Sequence, residues 1–173
     1  MKKSRFLLLG ALGGVAGALA VSAYRRYLQD IDYALKTVLN GSRVIDTACG
    51  SIEYAEVGSG YPVLVVHGAS GGYDQGLVMA RLQEDLFRCI AVSRFGYLRT
   101  PMPDDPSPAA QADAYTALLD KLEINKTILI GGSAGGISAL HFALRYPQRC
   151  QALVLISAVT KQLKLRSPFR NII

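Results

Sequence analysis

The sequence has few residues that could hold a metal ion. It contains three cysteines and two histidines, and the cysteines lie far apart in the chain. No Cys-x-x-Cys pair and no mixed Cys/His ligand spacing occurs, so we expect no metal site. We expect Cys49, Cys89 and Cys150 to be buried thiols that act as small hydrophobic side chains. One disulfide with a leftover thiol is the alternative for a protein outside the cytosol.

The central part of the chain lacks a positive charge of its own. The formal net charge is +6, but five basic residues flank the first hydrophobic run and four more lie in the last thirteen residues. Residues 27–160 contain 10 basic and 13 acidic side chains. A basic surface for nucleic acid is therefore not expected. The flanking charges are instead typical of a segment beside a membrane.

The long uncharged run near the N-terminus predicts a segment that inserts into a membrane. It extends over nineteen residues, 6–24. As a helix it nearly spans a hydrocarbon core of roughly 30 Å. We expect residues 1–26 to be a signal-anchor, with a cleaved signal peptide and a buried helix as alternatives. A signal-anchor places the domain outside the cytoplasm as part of a single-pass membrane protein. A cleaved signal peptide makes the protein secreted or periplasmic.

The rest of the chain alternates between helix-like and strand-like segments. Residues 27–41 have apolar positions at helical spacing and predict a connecting helix. Two short runs punctuated by glycine then predict a hairpin. From Val63 onward strands and helices alternate, which is typical of an α/β fold whose mostly parallel sheet has helices on both faces. The predicted strands are 61–68, 87–96, 126–132 and 151–159, and the predicted helices are 74–86, 108–124 (capped by Ser107) and 134–146.

The central motif is a serine between glycines. Gly131-Gly132-Ser133-Ala134-Gly135 matches Gly-x-Ser-x-Gly, follows a predicted strand and precedes a predicted helix. The glycines permit a tight turn with strained backbone angles at its centre, which lifts the Ser133 hydroxyl above the sheet. The N–H of Ala134 is then placed to donate to an oxyanion. The pattern favours a nucleophilic serine, with a phosphate- or dinucleotide-binding turn and a purely structural turn as alternatives.

A second loop of interest follows the strand predicted at 61–68. It begins with His67-Gly68, and the N–H of the next residue, Ala69, can supply a second oxyanion donor. His67 is a candidate general base, but a loop histidine buried against the turn is the favoured interpretation.

The segment from about Ser42 to Val159 resembles the N-terminal half of an α/β-hydrolase. Three pieces match in order: HGASGG after the third strand, SRFGYLRTPMP after the fourth and GGSAGG after the fifth. The middle piece departs from the family pattern, with Ser93 where aspartate is frequent and Leu98 where glycine is frequent. The resemblance implies an incomplete α/β-hydrolase-like domain over residues 42–160.

The resemblance also implies roles for individual residues. Ser133 would be the nucleophile, and no cofactor is implied because the serine mechanism needs none. The other implied site residues are the oxyanion-hole positions Ala69 and Ala134, the oxyanion-loop residues His67 and Gly68, and the elbow glycines Gly131 and Gly135.

The partners that a nucleophilic serine needs are missing from the expected positions. The family order places an acid and then a histidine after the serine. After Ser133 the sequence has one histidine, His141, and no acidic residue. His141 lies about 12 Å further along the predicted helix and cannot reach Ser133.

Two explanations stay open: a fragment of a longer serine hydrolase, or a truncated, inactive or weak relative. We favour the fragment, because the apolar strand at 151–159 would otherwise end the sheet as an unpaired edge. Residues 161–173 would then be a basic tail at the start of a missing lid region.

These expectations define two functional hypotheses. The first is a serine hydrolase that acts on an ester or related acyl bond of a small molecule, through an acyl-enzyme at Ser133. The second is a non-catalytic, membrane-tethered binding or interaction domain with a hydrolase-like fold. Both predict membrane contact through residues 6–24 and no nucleic-acid partner.

Overall fold

A computed structural model describes residues 2–80 and 85–160, with their side chains from residue 13 onward. The chain divides into two compact units, Met1–Asn40 and Gly41–Ile173. The C-terminal end of the helix predicted at 74–86 lies partly outside the described residues. The predicted basic tail, 161–173, lies entirely outside them.

The first unit is one helix, α1 (Lys2–Asn40). The sequence predicted two segments here, 1–26 and 27–41, but no proline or glycine separates them and the helix continues through Arg25 and Arg26, which favour helix. Within the described part of the chain, no helix is long and apolar enough to cross a membrane. This finding gives no support to the anchor or signal expected at residues 6–24, which stays a prediction. Residues 6–12 of the expected span lie outside the described side chains.

The second unit contains a six-stranded sheet in the order β1-β2-β4-β3-β5-β6. Its elements are β1 (Arg43–Thr47), β2 (Gly50–Val57), β3 (Tyr61–Val66), α2 (Tyr73–Ala80), β4 (Phe87–Val92), α3 (Pro108–Lys121), β5 (Thr127–Gly132), α4 (Gly135–Arg145) and β6 (Cys150–Ile156). β1 and β2 form the predicted antiparallel hairpin, and β2 is antiparallel to β4. The pairs β4/β3, β3/β5 and β5/β6 are parallel. The prediction of a mostly parallel sheet is confirmed.

Helices cover both faces of this sheet. On one face α3 and α4 pack over the strands in a cluster that includes Leu64, Leu118, Leu129 and Phe142. On the other face α2 lies so close that a Cβ atom on Gly76 would be 2.9 Å from the Cβ of Ala91. The central strands β3 and β4 are consequently buried on both sides, which explains their continuous apolar runs.

Capping of α3 agrees with the sequence prediction. Ser107 is the N-cap, and its hydroxyl oxygen accepts a hydrogen bond of 3.1 Å from the N–H of Ala110. Pro108 occupies the first helical position, where its missing N–H leaves no bond unmade.

The last strand and the cysteines differ from expectation. β6 ends at Ile156, three residues before the predicted end, and its neighbour among the described strands is β5 alone. Val154, Leu155 and Ile156 are exposed. Burial was predicted for all three cysteines; this is right for Cys89 and wrong for Cys49, which lies exposed in the turn between β1 and β2.

Candidate active site

The parallel pairing brings three loops to one edge of the sheet. The strands β4, β3 and β5 are neighbours in that order, so their carboxyl ends lie side by side. The loops that follow them begin at Ser93, His67 and Ser133. In open α/β sheets the crevice beyond the carboxyl ends of the strands is the usual place for a ligand. All of the predicted site residues lie in these loops or directly beside them.

Ser133 occupies the turn between β5 and α4. Its φ angle is +47°, in the left-handed region that non-glycine residues rarely adopt, and the residue is exposed. Such a conformation costs on the order of 1–3 kcal/mol and is retained only where the surrounding structure holds it. Among the described residues, the Ser133 hydroxyl has no hydrogen-bond partner, so it is open to a ligand or to a base.

Three backbone hydrogen bonds hold this strained turn. The N–H of Ser133 donates to the carbonyl of Ile156 at 3.0 Å. Its own carbonyl accepts from Gly136 at 3.1 Å and from Val159 at 2.8 Å. Two of the three partners belong to β6 and the residues just after it, so β6 supports the turn as well as the sheet.

The glycines on either side of Ser133 are required by close packing. A Cβ atom on Gly135 would lie 2.7 Å from the carbonyl oxygen of Val66 and would also collide with the carbonyl of His67. A Cβ atom on Gly131 would lie 2.7 Å from the Cβ of Ala139. The packing of α4 against β3 and β5 therefore allows no side chain at either position.

The loop after β3 lies directly against Ser133. A Cβ atom on Gly68 would be 3.2 Å from the Cβ of Ser133. The side-chain carbonyl of Gln75, on α2, accepts a hydrogen bond of 2.8 Å from the N–H of Gly68 and so holds this loop in position. Within the described part of the chain, the N–H groups of Ala69 and Ala134 have no acceptor. The two predicted oxyanion donors are thus on the two loops that meet at Ser133.

His67 is fully buried and both of its ring nitrogens are engaged. Its Nε2 accepts a hydrogen bond of 2.9 Å from the N–H of Arg94, so the proton is on Nδ1, which donates to the carbonyl of Gly68 at 2.7 Å. Burial lowers the pKa of His67 to about 4, and the positive charge of Arg94 contributes to the decrease. A neutral ring with both nitrogens occupied is a structural support for the loop and is unsuited to be the base for Ser133.

His141 does not provide a base either. It lies on α4, eight residues after Ser133, on a helix that is continuous from Gly135 to Arg145. No described residue forms the acid–histidine pair that a serine nucleophile needs. In the described residues, no group of three His, Cys, Asp or Glu side chains is arranged to hold a metal ion.

Sequence reasoning missed several residues that shape the site. The hydroxyl of Tyr97 donates to the carbonyl of Ala69 at 3.0 Å, and its ring contacts the ring of His67 edge to face. The guanidinium of Arg94 lies 5.6 Å from the centre of the Tyr97 ring. These residues, like Gln75, act on a loop from a different part of the chain, and no local motif indicates such a contact.

Glu53 is the other residue that the motifs did not indicate. Its carboxylate is fully buried and accepts hydrogen bonds from the hydroxyls of Ser42 (2.6 Å) and Ser93 (2.9 Å) and from the backbone N–H (3.0 Å) and Nε (2.8 Å) of Arg99. Burial raises the pKa of Glu53, but these bonds lower it more, so the pKa lies below its usual value.

Ser93 connects this carboxylate to the site. Its hydroxyl accepts from the N–H of Tyr73, at the start of α2. α2 in turn carries Gln75, which holds Gly68. Glu53 is therefore linked by hydrogen bonds and one helix to the loop that lies against Ser133. The resemblance indicated that an aspartate is missing at position 93. In the structure, the carboxylate beside Ser93 belongs to Glu53.

Comparison with known proteins identifies the family. The family described as "alpha/beta hydrolase fold" matches residues 61–172 of the chain. The chain belongs to the α/β-hydrolase fold family, and the resemblance predicted from the three loop motifs is confirmed.

The chain is similar to several individual hydrolases. It is 40% identical over 113 residues to the uncharacterized hydrolase YcgS of Bacillus subtilis, a match that covers 65% of this chain and 40% of that protein. It is 32% identical over 109 residues to the 2-hydroxy-6-oxo-2,4-heptadienoate hydrolase of Pseudomonas putida, covering 60% of this chain and 40% of the relative.

Among solved structures, an α/β-hydrolase fold protein from Nakamurella multipartita matches with a TM-score of 0.69 and 40% identity. That match covers 72% of this chain and 44% of the other. The chain thus spans about two fifths of the length of the curated relatives that it matches.

Proposed function

We propose that the protein is a serine hydrolase that cleaves an ester or related acyl bond through an acyl-enzyme at Ser133. The observation that carries the proposal is the exposed Ser133 hydroxyl in a left-handed turn between a parallel strand and a helix. A strained strand-to-helix turn of this kind presents a serine as a nucleophile.

The oxyanion that forms when Ser133 attacks a carbonyl would accept hydrogen bonds from the N–H groups of Ala69 and Ala134. Two features favour this assignment. Gly68 lies against Ser133, which brings Ala69 to the site, and Ala134 directly precedes α4, so its N–H lies at the positive end of a helix. Donors fixed before the reaction stabilise the transition state without reorganisation.

A serine hydroxyl is a weak nucleophile without a base. His67 is engaged with Arg94 and Gly68, and His141 lies two turns along α4. We therefore propose that the base and the acid come from a longer protein of which this chain is a part. The relatives, of which the chain spans about two fifths, support this proposal.

The substrate proposed is a small molecule with an acyl group. The name of one relative, 2-hydroxy-6-oxo-2,4-heptadienoate hydrolase, describes an oxo acid as the substrate of that protein. A carbon–carbon bond next to a ketone is accordingly the second bond type to test beside an ester. Membrane contact through residues 6–24 and a location outside the cytoplasm stay predictions.

Labelling with a fluorophosphonate probe tests the nucleophile. The protein is expressed from its complete coding sequence, treated with the probe and digested, and the modified peptide is identified by mass spectrometry. We expect the label on Ser133 and none in the Ser133→Ala variant. Ser51→Ala is the matched control, since Ser51 lies at the start of β2 and bonds to Asp46; it should label like the wild type.

The same experiment separates the second hypothesis, a non-catalytic binding domain. That hypothesis is favoured by the lack of a base for Ser133 among the described residues. It predicts no labelling, and equal ester cleavage by the wild type and the Ser133→Ala variant. Either result would refute the proposed hydrolase.

A further inference from the structure

Arg94 differs from most arginines of the domain because it has no acidic partner among the described residues. It is half-buried in the loop after β4. Its Nη1 makes one long contact, 3.4 Å, with the carbonyl of Gly68, and its Nε is buried without a hydrogen-bond partner in the described part of the chain. Four other arginines do pair with carboxylates: Arg88 with Glu56, Arg99 with Glu53, Arg145 with Asp113 and Arg149 with Asp120.

A buried guanidinium N–H without an acceptor is unfavourable in the free protein. A ligand does not relieve this cost at Nε, which is closed to solvent, but the two terminal nitrogens of the planar guanidinium can donate in parallel to a carboxylate. The aromatic face of Tyr97 on one side restricts the orientation of the group. Arg94 therefore carries a charge that no carboxylate of the described residues neutralises, which suits the binding of an anion.

Its position relative to Ser133 is set by the sheet. Arg94 follows β4 and Ser133 follows β5, with β3 between them. Adjacent strands are about 4.8 Å apart, so the two backbones are separated by about 10 Å at this edge. Gly68, in the loop after β3, contacts both residues: its carbonyl is near the Arg94 guanidinium and its Cα is against Ser133. The guanidinium and the nucleophile thus lie on either side of Gly68.

We propose that Arg94 binds a carboxylate of the substrate, several bonds away from the acyl carbon that Ser133 attacks. This inference rests on the proposed function and specifies its substrate class as acyl compounds that bear a carboxylate. Ser133 supplies the reaction, and Arg94 selects and orients the substrate by its charge.

Paired substrates test the selection. The protein expressed from its complete coding sequence is assayed with mono-p-nitrophenyl esters of succinic, adipic and suberic acid, and with the corresponding methyl p-nitrophenyl diesters, which lack the charge. We expect kcat/KM for at least one half-ester to exceed that of its neutral diester by about tenfold or more, the effect of one charged hydrogen-bonded contact. In Arg94→Gln this ratio should fall close to one, and Arg94→Lys should recover part of it.

Arg88→Gln is the matched control. It removes the same charge from the other end of β4, where Arg88 pairs with Glu56, and should keep the wild-type ratio. If the ratio is near one in the wild type for every chain length, or is unchanged in Arg94→Gln, the inference is wrong. If circular dichroism shows that Arg94→Gln does not fold, the test uses the ratio of kcat/KM in the wild type and in Arg94→Lys. A ratio near one in the wild type, or an unchanged ratio in Arg94→Lys, then contradicts the inference.

A binding measurement keeps this inference distinct from the proposed reaction. Calorimetric titration of the wild type with the dianions succinate, adipate and suberate needs no catalysis. If neither ester is cleaved, the proposed reaction fails, but binding of one dianion that is weakened about tenfold in Arg94→Gln still supports the carboxylate site. Absence of binding, or equal binding by the two proteins, would overturn it.

Discussion

Replacing Glu53 by glutamine should destabilise the protein strongly, although Glu53 lies outside the motifs. The buried carboxylate accepts four hydrogen bonds, two of them from Arg99. An amide has one oxygen, so its NH2 group would face hydrogen-bond donors, and Arg99 would lose its ion pair. Each hydrogen bond to a charged group contributes about 1.5–3 kcal/mol, and the losses are not additive. We expect Glu53→Gln to lower the free energy of unfolding by about 3 kcal/mol. This value is below the sum of the individual bonds because Arg99 is partly exposed and solvent weakens its ion pair.

Urea denaturation followed by circular dichroism measures this change, and a thermal melt should show a decrease of about 10 °C. Glu56→Gln is the matched control on the same strand. Glu56 pairs with Arg88 at 2.6 Å, but both side chains are partly exposed, so its loss should cost about 1 kcal/mol or less. If the two variants differ by less than about 1 kcal/mol, the argument for the buried network is refuted.

The pH dependence of the same difference provides an independent check. The pKa of Glu53 is lowered in the folded protein from its ordinary value of 4.5. A carboxyl with a lowered pKa stabilises the fold above the unfolded-state value, and this contribution is lost as the pH falls through the folded-state value. The difference in free energy of unfolding between the wild type and Glu53→Gln should therefore be constant near neutral pH and should become smaller below about pH 4.5. A difference that does not change on acidification would contradict the ionised state of Glu53.

Three further predictions concern single positions. Gly135→Ala should destabilise the protein by about 2–3 kcal/mol in urea denaturation, because its Cβ would press on the carbonyl of Val66; near-neutral behaviour would contradict the close approach. His67 should titrate near pH 4 in NMR spectra rather than near 6.5. Because its folded-state pKa is below the unfolded value, stability should fall by about 2 kcal/mol between pH 7 and pH 5, and a flat profile would refute this. Ser107→Ala should cost about 1 kcal/mol through loss of the α3 cap, and Ser107→Gly only a few tenths; equal costs would argue against the cap.

The parts of the fold that could be predicted are those with local physical causes. The β3 strand is a continuous apolar run because both of its faces are covered, and the turn at Ser133 requires glycines within two residues of it. Ser107 and Pro108 mark the start of α3 within two positions. Such signals lie inside a short window, so one sequence is enough to recognise them.

The parts that could not be predicted depend on contacts between distant segments. The hydrogen bonds of Glu53 join residues 42, 93 and 99, and nothing near Glu53 indicates a buried carboxylate. The engagement of His67 depends on the backbone of Arg94, 27 positions away. The length of α1 was missed for a different reason: the two predicted segments differ in polarity, and polarity does not end a helix when no breaker is present.

The sheet order also changes the interpretation of the last strand. In the sequence, the apolar segment at 151–159 indicated an unpaired edge strand, and the side chains of Val154, Leu155 and Ile156 are exposed in the structure. The backbone of the same segment has a second task, because Ile156 and Val159 bind the N–H and the carbonyl of Ser133. A left-handed serine persists only where neighbours over-determine its conformation. Since β6 and the residues just after it supply two of the three bonds that do so, the segment that completes the described sheet also holds the proposed nucleophile in its strained turn.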